Sequence, residues 1–384
     1  MNTPLKIGRS AASLLLAAAI AATLVACAPP GPTPSISPPL AASPAPTPIA
    51  SASAEPVAAG PEPIIDMTCD ELLPDATIAA GFAAPLAPAN AAVSMMNEES
   101  YRMAHAFLAR SLGGLACDWN NGEINVSSRG TNPAYVGHRV VILPDAASQW
   151  ARFIDYYGPE AGGHSCAVPV SPFPLSCSSD DLVGDIWVEM ETQGAVSEAA
   201  AAALRTRVLE GIAAAGPGAP RWTPPADTLP LPTDCEGLVP FSTVASALGT
   251  SASLFADSAS GGWSLMAGAT ENAGVGGCLW GSADWEAPGG IRSLAGGAWA
   301  WNEARPALTT PGSPEALPIA GLEAGDQAWI RCAPANTTCV ADLVIGGNWI
   351  EFHLWPDEGL GFVTADRRAA ATAIAEGVVA TLRP

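Results

Sequence analysis

The chain has 384 residues, of which 49% are hydrophobic and 14% charged, with 37 Pro and 38 Gly spread unevenly along it. Its 16 Lys and Arg against 37 Asp and Glu give a formal charge of −21, which repels phosphate backbones and argues against a nucleic-acid partner. The length allows two or three ordinary domains once segments that cannot fold are set aside.

Residues 1–26 open with Lys6 and Arg9, followed by an apolar run from Ala11 to Ala26 that includes Leu14, Leu15, Leu16, Ile20, Leu24 and Val25. This is the charged and then apolar order of a signal peptide, and the run is shorter than the roughly 20 residues a spanning helix needs. It ends in Leu24-Val25-Ala26-Cys27, which resembles the bacterial lipobox. That resemblance implies cleavage before Cys27, diacylglycerol in thioether linkage on its sulfur, and usually a further acyl chain such as palmitate on the new amino group. Each buried methylene contributes about 0.8 kcal/mol, so two or three chains hold where one is marginal. Cleavage removes Lys6 and Arg9, the former being the only Lys, so no polybasic patch assists the lipid.

Residues 27–62 carry the lipidation site and a tether, in which 11 of the residues from Ala28 to Glu62 are Pro. Pro, Ala, Ser and Thr with almost no large side chain cannot bury enough apolar surface to offset ordering. At about 3.1 Å per residue in polyproline geometry the tether reaches roughly 110 Å. A second Pro-rich stretch, 216–233, separates residues 63–215 from 234–384.

Those two parts repeat one another. Cys69 to Ala79 aligns without gaps on Cys235 to Ala245, Cys117-Asp-Trp119 on Cys278-Leu-Trp280, and Cys177 to Glu189 on Cys339 to Glu351. Asp180 and Asp342, Gly184 and Gly346, Trp187 and Trp349, and Glu189 and Glu351 match within the last block. Cys69 and Cys235, Cys166 and Cys332, and Glu210 and Glu376 are each 166 residues apart. Conserved order and spacing of this kind mark a tandem duplication.

Within each copy the pattern predicts a short helix at the first Cys, with Leu72 and Ile78 or Leu238 and Val244 on its apolar face. Copy one predicts strands at Ile124 to Ser127 and His138 to Leu143, then a helix from Asp145 to Tyr157 with Asp145 as N-cap. Copy two predicts a strand from Ser293 to Trp301. Each copy then has strands around its third and fourth Cys and another at Asp185 to Glu191 or Asn348 to Leu354, where Ile186, Val188 and Met190 alternate with Trp187, Glu189 and Glu191. A closing helix carries Leu204, Val208 and Ile212, or Ile374, Val378 and Leu382, along one face. The expected fold class is α+β: two tandem homologous domains, each an antiparallel sheet backed by helices and two disulfides.

Eight of the nine Cys remain after Cys27, four per copy, in an exported chain. Four Cys allow three pairings, and the order of spacings favours Cys69 with Cys117, Cys166 with Cys177, Cys235 with Cys278 and Cys332 with Cys339, the short ones suiting adjacent hairpin strands. Each longer loop stabilises by about 4 kcal/mol in the chain-entropy model. A zinc site of four thiolates is the rival reading, but no CxxC or HxxxH spacing orients ligands, and neither metal nor cofactor is expected.

Candidate chemistry is sparse. Gly163-His164-Ser165-Cys166-Ala167 approaches the GxSxG elbow, yet Pro169 and Pro172 follow where a helix is required. His105, His138, His164 and His353 have no paired spacing, and His353 aligns with Glu191. The recurring acids Asp180 and Asp342, and Glu189 and Glu351, read first as turn and outward strand residues, although two opposed carboxylates are also what general acid chemistry needs. Trp119, Trp280, Trp187 and Trp349 recur and read as core. Copy two has further Trp, among which Trp285, Trp299 and Trp301 fall in a Gly-rich stretch and suggest an aromatic binding surface.

The layout of lipobox, Pro-rich tether, Cys-x-x-Leu (Cys69 to Leu72, Cys235 to Leu238) and Cys-x-Trp resembles actinobacterial envelope lipoproteins that carry an uncharacterised domain. The resemblance implies an extracytoplasmic α+β module and supplies no catalytic residue. The expectation is a protein held to the cell membrane through the lipid at Cys27, on its extracytoplasmic face, with a non-catalytic role in binding a protein, glycan or lipid partner. An envelope hydrolase acting through Ser165 or Glu189, and a purely structural spacer, are the alternatives.

Overall fold

The computed structural model describes residues 60–98, 105–125, 132–167, 171–232, 234–249, 255–258, 264–273, 277–281, 289–355 and 366–384. Cys27, the tether up to residue 59 and Trp285 lie outside them. Both copies belong to one compact unit.

Copy one runs α1 (Cys69–Leu72), α2 (Asp75–Gly81), β1 (Ala87–Ala89), α3 (Ala91–Glu98), α4 (His105–Ser111), β2 (Leu115–Asn120), β3 (Gly137–Leu143), α5 (Ala147–Tyr157), β4 (Gly163–Ala167), β5 (Ser176–Val183), β6 (Ile186–Gln193) and α6 (Glu198–Ala214). Copy two runs α7 (Cys235–Leu238), α8 (Phe241–Leu248), β7 (Phe255–Ser258), α9 (Leu265–Asn272), β8 (Gly277–Gly281), β9 (Gly289–Leu294), α10 (Ala298–Ala304), β10 (Glu315–Ala316), β11 (Gln327–Cys332), β12 (Cys339–Ile345), β13 (Asn348–Leu354) and α11 (Arg367–Leu382). The strand order is β1-β2-β3-β6-β5-β4 in the first sheet. Read from the other edge, the second is β7-β8-β9-β13-β12-β11-β10, the same antiparallel topology with one short strand added. The fold is therefore α+β, with a duplicated sheet backed by helices.

Local chemistry sets the boundaries. Thr68 and Glu71 form a reciprocal capping box at α1, Asp234 caps α7, and Ser197 caps α6. The hairpin between β5 and β6 turns at Gly184 with φ +66°, and its counterpart turns at Gly346 and Gly347 with φ +53° and +83°, a backbone that favours glycine.

Each sheet packs on both faces, the inner face of the first only in part. One face of the first sheet, with Trp119, Val140, Ile142, Val188 and Met190, packs on α1, α2 and α6 through Leu72, Ile78, Leu204, Val208 and Ile212. The matching face of the second, with Trp280, Ile291, Ile350 and Phe352, packs on α8 and α11. The remaining faces look toward each other across a third core, in which Met96, Phe107, Val141, Phe153 and Trp187 of copy one meet Leu265, Leu294, Trp299, Trp301 and Trp349 of copy two. The copies share this core rather than standing apart as beads.

The sharing is reciprocal. α4 packs on α9, its equivalent. The Phe107 ring lies 5.6 Å from both Trp299 and Trp349, edge to face. Arg110 of α4 makes two bonds to Glu303 of α10, at 2.6 and 3.0 Å, and on the opposite side Gln149 of α5 donates to Asn272 of α9 at 2.6 Å. The 216–233 stretch joins both copies: Gly218 N–H donates to Ile64 O at 2.8 Å, and Leu229 N–H to Gly346 O at 2.8 Å.

Three local expectations are corrected. Asp145 does not cap α5, since it sits at φ +52°. Its carbonyl instead accepts from Asn272 at 3.2 Å and its carboxylate pairs with Arg221 at 2.9 Å. The strand expected at Ile124 to Ser127 is absent at Ile124 and Asn125, and 126–127 lie outside the described residues; the strand is β2, with the Cys-x-Trp motif inside it. From Ser293 to Trp301 only Ser293 and Leu294 are strand, and Trp299 and Trp301 belong to α10, because both rings are drawn into the shared core.

Candidate functional site

The expected disulfides are formed. Cys69–Cys117 and Cys235–Cys278 tie the first helix of each copy to β2 or β8 across Cα separations of 5.6 and 6.2 Å. Cys166–Cys177 and Cys332–Cys339 link register-opposed residues of adjacent strands at 4.0 and 4.2 Å.

The recurring acids define the most informative place in the molecule. Strand alternation puts Asp180, Glu189 and Glu191 on the inner face of the first sheet, on the side of Trp187. Asp180 stands directly opposite Glu189. A row across the same face runs Asp118, Arg139, Glu191, Ser178, Ser165, each the register partner of the next. Arg139 lies 3.6 Å from Asp118 and 3.5 Å from Glu191, and the Ser165 and Ser178 hydroxyls are 3.4 Å apart. Asp180 accepts a bond of 2.8 Å from the Trp187 indole. Burial, with the charges of Asp181 and Glu191 adding to it, raises the Asp180 carboxyl to about 6 despite that bond. Buried Asp118 has one oxygen, Oδ1, with no hydrogen-bond partner. Four carboxylates and one guanidinium make this floor acidic, and Glu191, Ser178 and Ser165 on it are exposed.

The same face of copy two is closed and neutral. Arg331 occupies the position of Ser165, and its guanidinium bonds to Asp342 at 2.9 Å and to Glu351 at 3.3 Å. It also donates to Thr310 O at 2.7 Å. Arg331, Asp342 and Glu351 are all fully buried, and Trp349 donates to Asp342 at 3.1 Å as Trp187 does to Asp180. Burial holds Asp342 above the usual carboxylate range, with Arg331 opposing. Arg292 is the register partner of Glu351, where copy one has Val141 facing Glu189. The cover comes from residues 305–326, a long connection between α10 and β11 that includes Thr310. In copy one only 158–162 join α5 to β4.

The aromatic surface expected in copy two is not there at two of its three residues: Trp299 is 4% exposed and Trp301 fully buried, both inside the shared core, and Trp285 lies outside the described residues. Among the described residues the exposed aromatic rings are in copy one instead, at Tyr156, Tyr157 and Phe173. Tyr157 packs on Phe153, and Phe153 on Trp187, at ring separations of 5.3 and 4.9 Å, so the end of α5 borders the acidic floor. Trp119, Trp187, Trp280 and Trp349 are buried as expected.

Ser165 is not at a nucleophile elbow: it sits mid-strand in β4, the next element among the described residues is strand β5, and its neighbour His164 faces the other side of the sheet. His138 and His353 are buried strand residues. His138 Nδ1 lies 2.8 Å from the Thr192 hydroxyl, and burial lowers its pKa to about 4. Arg331, Arg292 and Arg139 were missed as functional determinants. Arg331 precedes Cys332 where Ser165 precedes Cys166, a charge difference the alignment itself displays.

No family model matches the chain, and no curated protein does. The solved di-domain ARO/CYC StfQ from the steffimycin biosynthetic pathway is 9% identical, with 78% of this chain and 96% of that one covered and a TM-score of 0.13, a likeness too slight to carry an argument.

Proposed function

We propose that this protein is a lipid-anchored, extracytoplasmic binding protein of the actinobacterial envelope type, tethered through Cys27, with the acidic floor of copy one as its binding face. The observation that carries the reading is the contrast between copies: one sheet face is sealed and neutralised by Arg331, while its duplicate is open, acidic and bordered by Tyr157. A duplicated fold that internalises the face in one copy and leaves it polar in the other has divided the work, one copy for stability and one for contact. Carboxylates flanked by exposed tyrosines suit a protein partner that presents basic side chains. The disulfides suit an oxidising compartment.

A photoreactive residue at Tyr157 in cells tests this directly. The expected result is a cross-linked protein that Glu189→Gln with Glu191→Gln abolishes and added salt weakens, with none from a probe on the outer surface of α6. A cross-link indifferent to those substitutions, or capture of glycan or lipid instead, overturns the protein-partner reading. Cys27→Ala should release the chain from the membrane fraction. A hydrolase is the second reading, favoured by Asp180, with its raised pKa, directly opposite Glu189; it requires a turnover that Glu189→Gln removes.

A further inference from the structure

We propose that the cleft where the two copies meet the 216–233 stretch binds one uncharged pyranose ring, as a free sugar or as the end residue of a glycan. This goes beyond the binding face above and uses none of its residues. The cleft is a cavity of about 200 Å³ lined by Ser111 and Leu112 of copy one, Arg221 and Trp222 of the connecting stretch, and Asn272 and Leu294 of copy two. Drug-sized sites run to roughly 300–1,000 Å³, so this one suits a single ring. The duplication brings its polar groups together. Ser111 and Asn272 each stand six residues before the Cys of the Cys-x-Trp motif and each ends its helix, α4 or α9, and those helices pack on each other. The stretch that meets them carries a single aromatic residue and a single cation, Trp222 and Arg221.

Each polar group is held in place with bonding capacity left over. Ser111 is buried and donates to Leu108 O at 2.7 Å, while its oxygen can still accept. Asn272 accepts from Gln149 at 2.6 Å and donates to Asp145 O at 3.2 Å, with a second amide hydrogen remaining. Arg221 pairs with Asp145 through one nitrogen at 2.9 Å, which balances its charge and leaves its other N–H groups as donors. Among the described residues no carboxylate lines the cavity, so with Arg221 balanced the site selects neither an anion nor a cation. Trp222 supplies the apolar wall. Its ring is half-buried, meets Trp299 edge to face at 6.5 Å, and lies against Gly296, where a Cβ would stand 2.7 Å from it and φ is +64°. An indole for the C–H side of a ring, beside N–H donors and a hydroxyl acceptor for its OH groups, is a lining that matches an uncharged sugar.

The test is saturation-transfer NMR on the full chain in a detergent without a sugar headgroup. The probes are glucose, galactose, mannose and N-acetylglucosamine, each as the free sugar and as its methyl glycoside, with adenosine and leucine as a base and a zwitterion for comparison. At least one sugar should receive saturation on its ring C–H protons, and adenosine and leucine should not. Trp222→Leu removes the indole wall and should weaken that sugar by roughly tenfold or more. Ala295→Leu fills the cavity from copy two and should do the same while keeping the indole, so the two variants together separate loss of the site from loss of fold. A methyl glycoside that matches its free sugar assigns the site to a ring with an open anomeric oxygen, as at the end of a glycan, and a free sugar that binds alone assigns it to small sugars. No saturation of any sugar, an affinity unchanged in both variants, or stronger transfer to adenosine or leucine overturns the proposal.

Discussion

Ser165 in copy one and Arg331 in copy two stand at the same sheet position, one residue before Cys166 and Cys332 and on the face opposite the disulfides. That position supplies one of the differences between the two inner faces, beside Arg292 in place of Val141 and the longer connection over the second. Arg331 balances two buried carboxylates. Ser165 brings no charge to Asp180, whose carboxyl meets the Trp187 indole and the charges of Asp181 and Glu191.

Arg331→Met should therefore destabilise the protein by about 3–5 kcal/mol, because Asp342 and Glu351 would remain buried without their shared cation. Urea unfolding followed by Trp fluorescence measures this. The reciprocal change, Ser165→Arg, should bring the Asp180 pKa down from about 6, readable by NMR titration of the carboxyl.

The Asp180 carboxyl also predicts a pH dependence. Its folded pKa is raised from 3.8 to about 6, so the folded chain keeps a proton that the unfolded chain has lost across that window. Stability from this group is present below pH 3.8 and falls as pH rises through 6. Asp180→Asn, which retains an acceptor for the Trp187 indole, should raise Tm at pH 7.5 by a few degrees, on the order of 1 kcal/mol after solvent screening. The variant and the parent should converge at pH 3.8 and below.

The buried histidines act in the opposite sense. Burial lowers His138 from 6.5 to about 4, and burial together with the Arg292 charge holds His353 well below its ordinary value. Their contribution is present above pH 6.5 and is lost as pH falls through the folded pKa, since the unfolded chain takes up protons first. His138→Asn, able to keep the Thr192 contact, should flatten the slope of Tm between pH 6.5 and 4.

The shared core predicts that the copies unfold together. Phe107→Ala removes a fully buried ring that meets Trp299 and Trp349 and should cost about 3–5 kcal/mol. Calorimetry should show a single transition in the parent chain. Two separated transitions there would mean that the copies are energetically independent.

The duplication, the sheet with its closing helix and all four disulfide pairings were legible in the sequence, because each rests on local information: repeated motifs, period-two alternation, and Cys spacing matched to neighbouring strands. The acids Asp180 and Glu189 were legible as a recurring pair for the same reason. What they do in each copy was not, since that depends on which side chain a different strand places beside them and on whether 305–326 or only 158–162 connects the neighbouring elements. Trp299 and Trp301 show the same limit. Sequence identifies them as aromatic and clustered, and a cluster of that kind serves equally as a surface or as a core. Only the packing of one copy on the other decided it, because apolar rings leave water wherever a complementary face is offered, and here that face is the duplicate of their own.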